Sequence, residues 1–521
     1  MASYINKFVL FITYPFCAGL PLFVSFFILS ASVECVGFCL FETLPKAIYI
    51  AMHHFVVVYI LILLDGLLKK KVQKIYRTIA WMALTVNLFI DLVCVHSFHF
   101  TFDQEVPAII LGTNSSEAVE FIQVFMPLKF WAVLISFSVL VLIVNHFFRN
   151  YTFKLKLLGS ILGVTLVVLS FATTLFCDSQ NWGNVSLTKV NSFIKASSPI
   201  ALKDYQCHCE LAVGKQRGPK YIVLIIGESL SKFHCSLYGY DKPTNPMLSQ
   251  LEQDGSLLVF ENARTSALNT IPVFKTIMST YKLEYGDSMN WFECPTLPMI
   301  MREANYYTCW FSNQSQKGYH DNVIAQYASL CDSAIFNGNR FAAMGKCDLD
   351  GDLIHVVEDY MGNNDHPCQF HVIHLMGSHP DFKKRYPSEF QIFNTYDYVE
   401  ALPSQRDNFA AYDNSVLYND YVVSRLMNIY KDEESIIIYF SDHGMDVYDS
   451  RKDYVGHSRD NDLTSANVGY NIPYMIYMSQ KLKKNFPCLS RELEDAINDK
   501  FSTDNTVSVV MDIAGVSFLT E

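Results

Sequence analysis

Five apolar stretches crowd the first third of this chain, at residues 8–29, 47–68, 78–100, 125–148 and 157–176. Each reaches the roughly 20 residues that a helix needs to cross the hydrocarbon core of a bilayer. Without water to satisfy the backbone, such stretches are confined to helices that bond within themselves. A cleaved leader does not fit, because the first stretch is long and four more follow it. Lys69, Lys70, Lys71, Lys74 and Arg77 lie between the second and third stretches, and Arg149, Lys154 and Lys156 between the fourth and fifth. Basic loops stay in the cytoplasm. The N-terminus is then cytoplasmic too, and five crossings deliver everything after residue 177 to the far side.

His53, His54, Asp65 and Asp91 interrupt the apolar region. The two histidines fall near the outer end of their span and Asp65 near the inner end, where interfacial water accounts for them. Asp91 sits deeper, and a deep intramembrane charge is a functional signal by default. Beyond the spans the composition turns ordinary, and 521 residues exceed one core. A formal net charge of −11, with no basic cluster interleaved with aromatics, excludes nucleic acid as a partner. Nine of the 14 cysteines, from Cys207 to Cys488, lie on the far side, where an oxidising compartment allows disulfides. None has zinc-ribbon spacing, and Cys331–Cys347 is the first pair to consider.

Residues 178–220 are polar and mixed, a bridging segment between a transmembrane domain at 1–177 and an outer domain at 221–521. In the outer domain, 221–226, 370–375 and 436–440 are continuous apolar runs, as in strands buried on both faces. Residues 246–254, 272–280 and 413–431 carry helical patterns. The alternation predicts an α/β domain whose central sheet is mostly parallel and covered by helices on both faces. In such sheets active groups gather at the carboxyl ends of strands. Glu228 follows the first run in Gly227-Glu228-Ser229, His379 follows the second after a short turn, and Asp442 and His443 follow the third in Ser441-Asp442-His443-Gly444.

Thr270 gives these groups a purpose. A free threonine hydroxyl is a poor nucleophile, and a divalent metal on its oxygen lowers its pKa. Glu228, Asp442 and His443 supply two carboxylates and an imidazole, a donor set suited to tetrahedral zinc with one position left for Thr270. Pro272 is acceptable early in a helix, and a helix N-terminus favours an incoming phosphate through its free N–H groups and dipole. His379 and His457 then face the phosphate, stabilise its charge and pass a proton, or else hold a second metal. Each piece alone has an ordinary explanation: Gly-Glu-Ser as a turn, a lone histidine as a satisfied ring. Their order and strand-end placement together point to phosphoryl transfer.

At these residues the chain resembles a membrane-bound phosphoethanolamine transferase of the alkaline phosphatase/sulfatase superfamily. The matching stretches are Ile226-Gly227-Glu228-Ser229, Ser236-Leu237-Tyr238-Gly239-Tyr240, Asn269-Thr270, Ser312-Asn313-Gln314, His374-Leu375-Met376-Gly377-Ser378-His379 and Ser441-Asp442-His443-Gly444, and Thr270 stands nine residues before Ser279 as the pattern requires. The resemblance implies five spans, a bridging segment and a periplasmic hydrolase-like domain in a bacterial inner membrane. It implies Glu228, Thr270, Asp442 and His443 as ligands of one zinc, with room for a second. Thr270, His379 and His457 would be catalytic, and Asn313, Lys317, His374, His379 and His457 would bind substrate. A monomer would take phosphoethanolamine from phosphatidylethanolamine and give it to lipopolysaccharide or another envelope glycan, through a covalent intermediate on Thr270. Met445 stands where the family has Glu, and residues 446–457 resemble the lipopolysaccharide-core type more than the colistin-resistance type. Phosphoglycerol transfer from phosphatidylglycerol is the alternative. An inactive membrane scaffold is disfavoured, since Glu228, Thr270, Asp442 and His443 are all present.

Overall fold

The computed structural model describes residues 2–16, 19–41, 43–97, 218–314, 323–337, 349–451, 454–457 and 463–519, with short pieces between 98 and 217, of which 128–149 and 163–172 are the longest. The chain divides into two compact units, Met1–Thr113 with Phe121–Ser198, and Asn114–Glu120 with Pro199–Glu521.

In the first unit the long described helices include α1 (Ala2–Ile12), α2 (Leu20–Phe41), α3 (Leu44–Leu67), α4 (Lys70–Ser97) and α5 (Leu128–Arg149). Among the described residues, three helices are long and apolar enough to cross a membrane: Leu20–Leu40, Leu44–Leu67 and Lys70–His96. Phe130–Val139 and Gly163–Ala172 are shorter apolar helices. The count of five spans rests partly on residues outside this description. The expected first span at 8–29 is not one helix. It breaks at a 3-10 turn, Tyr14–Phe16, because Pro15 has no N–H to donate and pushes its predecessor out of helical geometry. The crossing moves to α2, and that brings Glu34 inside it.

Asp65, His53 and His54 are buried away from water, which corrects the interfacial account of these three. Asp65 is fully buried and accepts from Arg77 Nε at 2.8 Å, Arg77 Nη2 at 2.7 Å and the Tyr14 hydroxyl at 3.1 Å. His53 and His54 are buried as well, and His54 Nε2 lies 2.8 Å from Glu34 Oε2. Asp91 finds its partner in Lys189, whose Nζ donates to it at 2.6 Å and reaches Glu34 Oε2 at 2.9 Å and Asn87 Oδ1 at 3.3 Å. Breaking a buried ion pair by removing one partner costs about 3–5 kcal/mol, whereas replacing the whole set by neutral groups is close to neutral. Lys189→Met leaves two buried carboxylates facing each other. It should lower the melting temperature of the full-length protein in detergent, and adding Glu34→Gln and Asp91→Asn should recover most of the loss. A triple variant less stable than Lys189→Met would contradict this account.

The second unit is built on seven strands, β1 (Tyr221–Gly227), β2 (Leu257–Val259), β3 (Tyr307–Ser312), β4 (Ser333–Phe336), β5 (Gln369–His374), β6 (Ser435–Ser441) and β7 (Tyr474–Met478), in the order β2-β7-β6-β1-β5-β3-β4. From β6 to β4 the neighbours are parallel. β7 runs antiparallel to both β6 and β2, so the sheet is mixed, with one reversed strand in an otherwise parallel array. The reversal is local: Tyr474 opens β7 beside Phe440 at the carboxyl end of β6, and the chain can only run back from there.

Alternation along β1 explains why its run is continuously apolar. Ile222, Leu224 and Ile226 enter one core with Val273, Phe274 and Ile277 of α7 (Thr270–Ile277), whereas Tyr221, Val223 and Ile225 enter the other with Leu248 of α6 (Pro246–Gln253), Leu353 of α8 (Asp352–Asn363) and Val416 of α9 (Arg406–Ile429). Each such side chain contributes about 1.5–3 kcal/mol on burial. α9 starts earlier than its expected 413–431, and its buried polar residues are all within the expected part. Asp420 accepts from the N–H groups of Met247 and Leu248 at the start of α6, both at 2.9 Å, and Asn414 accepts from Phe393 N at 2.8 Å.

Candidate active site

Parallel register brings four strand ends to one level. Gly227 pairs with Ser441, and Ile226 and Ser312 both pair with His374. The next residues of those strands are Glu228, Asp442, Asn313 and Leu375, so the groups that were far apart in sequence emerge side by side. Ser229 N donates to Asp442 Oδ1 at 3.2 Å and Leu230 N to Ser441 Oγ at 2.9 Å, tying two of the loops together. Ser229 holds φ at 57°, a left-handed conformation that a non-glycine residue adopts at some cost and that recurs at functional sites.

Thr270 opens α7, with Asn269 as its N-cap. Its Oγ1 lies 3.2 Å from Glu228 Oε2 and 3.5 Å from His443 Nε2. His443 Nε2 is in turn 3.3 Å from Glu228 Oε1 and 3.5 Å from Asp442 Oδ2. Ligand atoms of Glu228, Asp442 and His443 all fall within 4.8 Å of one another, and all three residues are buried. Two carboxylates this close and this dry repel, so protons must stand in for a cation. Burial, joined by the charge of Glu228, pushes Asp442 up to about 7. Burial works against the His443 cation, but Asp442 and Glu228 outweigh it and push the ring up to about 9. Burial also opposes the Glu228 carboxylate, yet the hydrogen bond and charge of His443 and the charge of His379 hold it well below the usual range. Asp442 Oδ2, buried, accepts no hydrogen bond among the described residues. The donor set and that orphaned oxygen fit a divalent metal of the zinc type.

The other expected residues fall at different depths. His457 lies tilted beside His443 with ring centroids 4.5 Å apart, and burial followed by the His443 charge lowers it to about 3, so it is neutral at pH 7. His379 is half-buried just past the β5 turn. His374 has no exposed surface: it packs edge-on against Phe274 at 4.8 Å and lies 3.3 Å from Ser312 Oγ, behind the strand ends. Asn313 is buried and donates through Nδ2 to Asp350 Oδ1 at 2.8 Å. Lys317 and Cys347 lie outside the described residues, and with them the expected Cys331–Cys347 pair. Met445, at the position where Glu was expected, is fully buried in the core with Tyr412 and Tyr439. Reading by motif missed Asp350 and Arg385, which stand in no recognisable spacing with the rest.

Residues 220–516, more than half the chain, match the sulfatase family. The phosphoethanolamine transferase EptC of Escherichia coli strain K12 is 26% identical over 458 residues, covering 80% of this chain and 76% of that protein. The zinc complex of the C-terminal periplasmic domain of E. coli EptC superimposes with a TM-score of 0.55 at 27% identity, covering 60% of this chain and 86% of that one. The integral membrane lipooligosaccharide phosphoethanolamine transferase A of Neisseria meningitidis shares the fold across 96% of both chains, with a TM-score of 0.67 at 17% identity. The chain thus belongs to the sulfatase family, in which it is similar to the phosphoethanolamine transferases.

Proposed function

We propose that this protein transfers phosphoethanolamine from phosphatidylethanolamine to lipopolysaccharide or another envelope glycan, with Thr270 as the nucleophile. The observation that carries the proposal is a hydroxyl at a helix N-terminus, 3.2 Å from one buried carboxylate and 3.5 Å from the imidazole of the same donor cluster. Glu228, Asp442, His443 and Thr270 would hold one zinc. When bound, zinc lowers the pKa of the hydroxyl and offsets charge on the phosphate. Thr270 Oγ1 forms the new bond to phosphorus and gives its proton to His379 or His457, the bond to the diacylglycerol oxygen breaks, and that oxygen leaves with the proton so carried. The free N–H groups of α7 hold the transferred phosphoryl group in place. An acceptor oxygen then attacks phosphorus and loses its proton to the same histidines, the bond from phosphorus to Thr270 Oγ1 breaks, and the freed threonine takes that proton back. Asn313 and Lys317 support the phosphoethanolamine group from the strand-end side, and His374, expected among them, backs the site from behind through Ser312. Residues 1–177 anchor a monomer in a bacterial inner membrane, 178–220 bridge, and 221–521 work in the periplasm. Attachment to the membrane keeps the site near lipid-borne substrates and raises their effective concentration.

The test is the intact mass of the full-length, zinc-loaded protein after incubation with phosphatidylethanolamine, with peptide mapping. One phosphoethanolamine on the Thr270 peptide is the expected result. A phosphoglycerol adduct from phosphatidylglycerol would overturn the donor, and no adduct from either lipid would overturn the covalent route.

A further inference from the structure

The turn that carries His379 is held by two buried charges that belong to neither the donor cluster nor any motif. Asp350, 6% exposed, accepts from Met376 N at 2.8 Å, from Gly377 N at 2.7 Å and from Asn313 Nδ2 at 2.8 Å. Arg385, 8% exposed, donates from Nε to the carbonyl of His379 and from Nη2 to that of Pro380, both at 3.1 Å. Between these two anchors the turn is pressed onto the metal-site loop. Ser378 N donates to Glu228 O at 2.9 Å. Gly377 has φ of +55°, and a Cβ there would lie 2.5 Å from Glu228 O and 2.7 Å from Glu228 N, so only glycine fits.

We infer that Asp350 and Arg385 are positioning residues for the transfer reaction, acting through His379 and Asn313. This rests on the proposed function of the site. The carboxylate accepts both N–H groups at the start of the turn, and the guanidinium takes the carbonyls at its end. With both ends fixed, the His379 ring keeps one position relative to Glu228. The third bond to the Asp350 carboxylate fixes the Asn313 amide in the same frame, so one carboxylate sets two groups that would touch the donor phosphate. Charged hydrogen bonds in a dry site are stiff, and stiffness matters because a misplacement of about 1 Å can slow a reaction about 100-fold.

Asp350→Asn keeps size but turns an amide N–H toward the donors of one carboxylate oxygen, either Gly377 N or Met376 N with Asn313 Nδ2. Arg385→Lys keeps charge but offers one donor head in place of a fork, and it serves if Asp350→Asn does not fold. The measurement is the rate of adduct formation from phosphatidylethanolamine across a donor concentration series, per zinc-loaded, full-length molecule. Each variant should form adduct about 10- to 100-fold more slowly at saturating donor, with zinc content unchanged. In a His379→Ala/Asn313→Ala background, the same substitutions should change the residual rate less than about 2-fold, because their targets are gone. Rates per zinc-loaded molecule equal to wild type would overturn the inference, as would an undiminished loss in the double-variant background. A wild-type control that forms no adduct would instead overturn the function proposed for the site, and this inference with it.

Discussion

Thr270→Ala should abolish the covalent adduct and lower transfer on the order of 10⁴-fold or more, the scale on which enzymes respond to loss of a covalent nucleophile. The fold should survive. Thr270 is the first residue of α7, no capping bond depends on its side chain, and alanine is a favourable helix residue. Zinc content should survive too, since Glu228, Asp442 and His443 remain as three strong ligands. Nearby hydroxyls offer poor substitutes: Ser266 Oγ and Thr276 Oγ1 lie 3.0 Å apart and bond to each other, and Thr276 is fully buried. Thr270→Ser keeps the oxygen and should retain measurable transfer. Intact mass and product formation should be followed on the same preparations. An adduct surviving in Thr270→Ala would reassign the nucleophile, and full transfer without any adduct would replace the two-step route by direct attack of the acceptor.

Much of this site was legible because its residues directly follow continuous apolar runs. Tyr221 to Ile226 and Ile436 to Phe440 can only be strands buried on both faces, and parallel packing then brings Glu228 and Asp442 together. Strand direction was not legible. β7 is as apolar as its neighbours, and its antiparallel course follows from where the chain re-enters the sheet, which no local pattern encodes. Pro15 was readable but was outweighed by the apolar residues around it, so the first span was placed too early and Glu34 was left outside it. Lys189, 155 residues beyond Glu34, could not be paired with it from sequence at all. Asp350 is a similar case: its three partners are one side-chain amide and two backbone N–H groups, and backbone donors leave no signature in residue identity.

Zinc affinity should climb steeply with pH, because the metal must displace protons that the empty donor set holds. Ligands bind deprotonated. With His443 pushed up to about 9 and Asp442 up to about 7, the metal-free site carries a proton on the ring at neutral pH, and a second binds the carboxyl as pH falls. Both groups have raised pKa values in the folded, metal-free protein, so their protonated forms are favoured at low pH and compete with zinc there. Log affinity should therefore rise by nearly two per pH unit below about 7, by one between about 7 and about 9, and level off above. From pH 6 to pH 9 the gain should be on the order of 10³-fold or more. Competition against a chelator of known pH dependence, on full-length protein in detergent, measures it directly. Glu228→Gln removes one ligand charge and one of the two carboxylates that sustain the His443 cation. It should weaken zinc at least about 100-fold and shift the upper break in the pH curve below 9. A pH-independent affinity in the native protein would mean that zinc does not bind through His443 and Asp442. An unshifted break in Glu228→Gln would mean that Glu228 does not face the His443 ring in solution, and the geometry on which Thr270 depends would have to be redrawn.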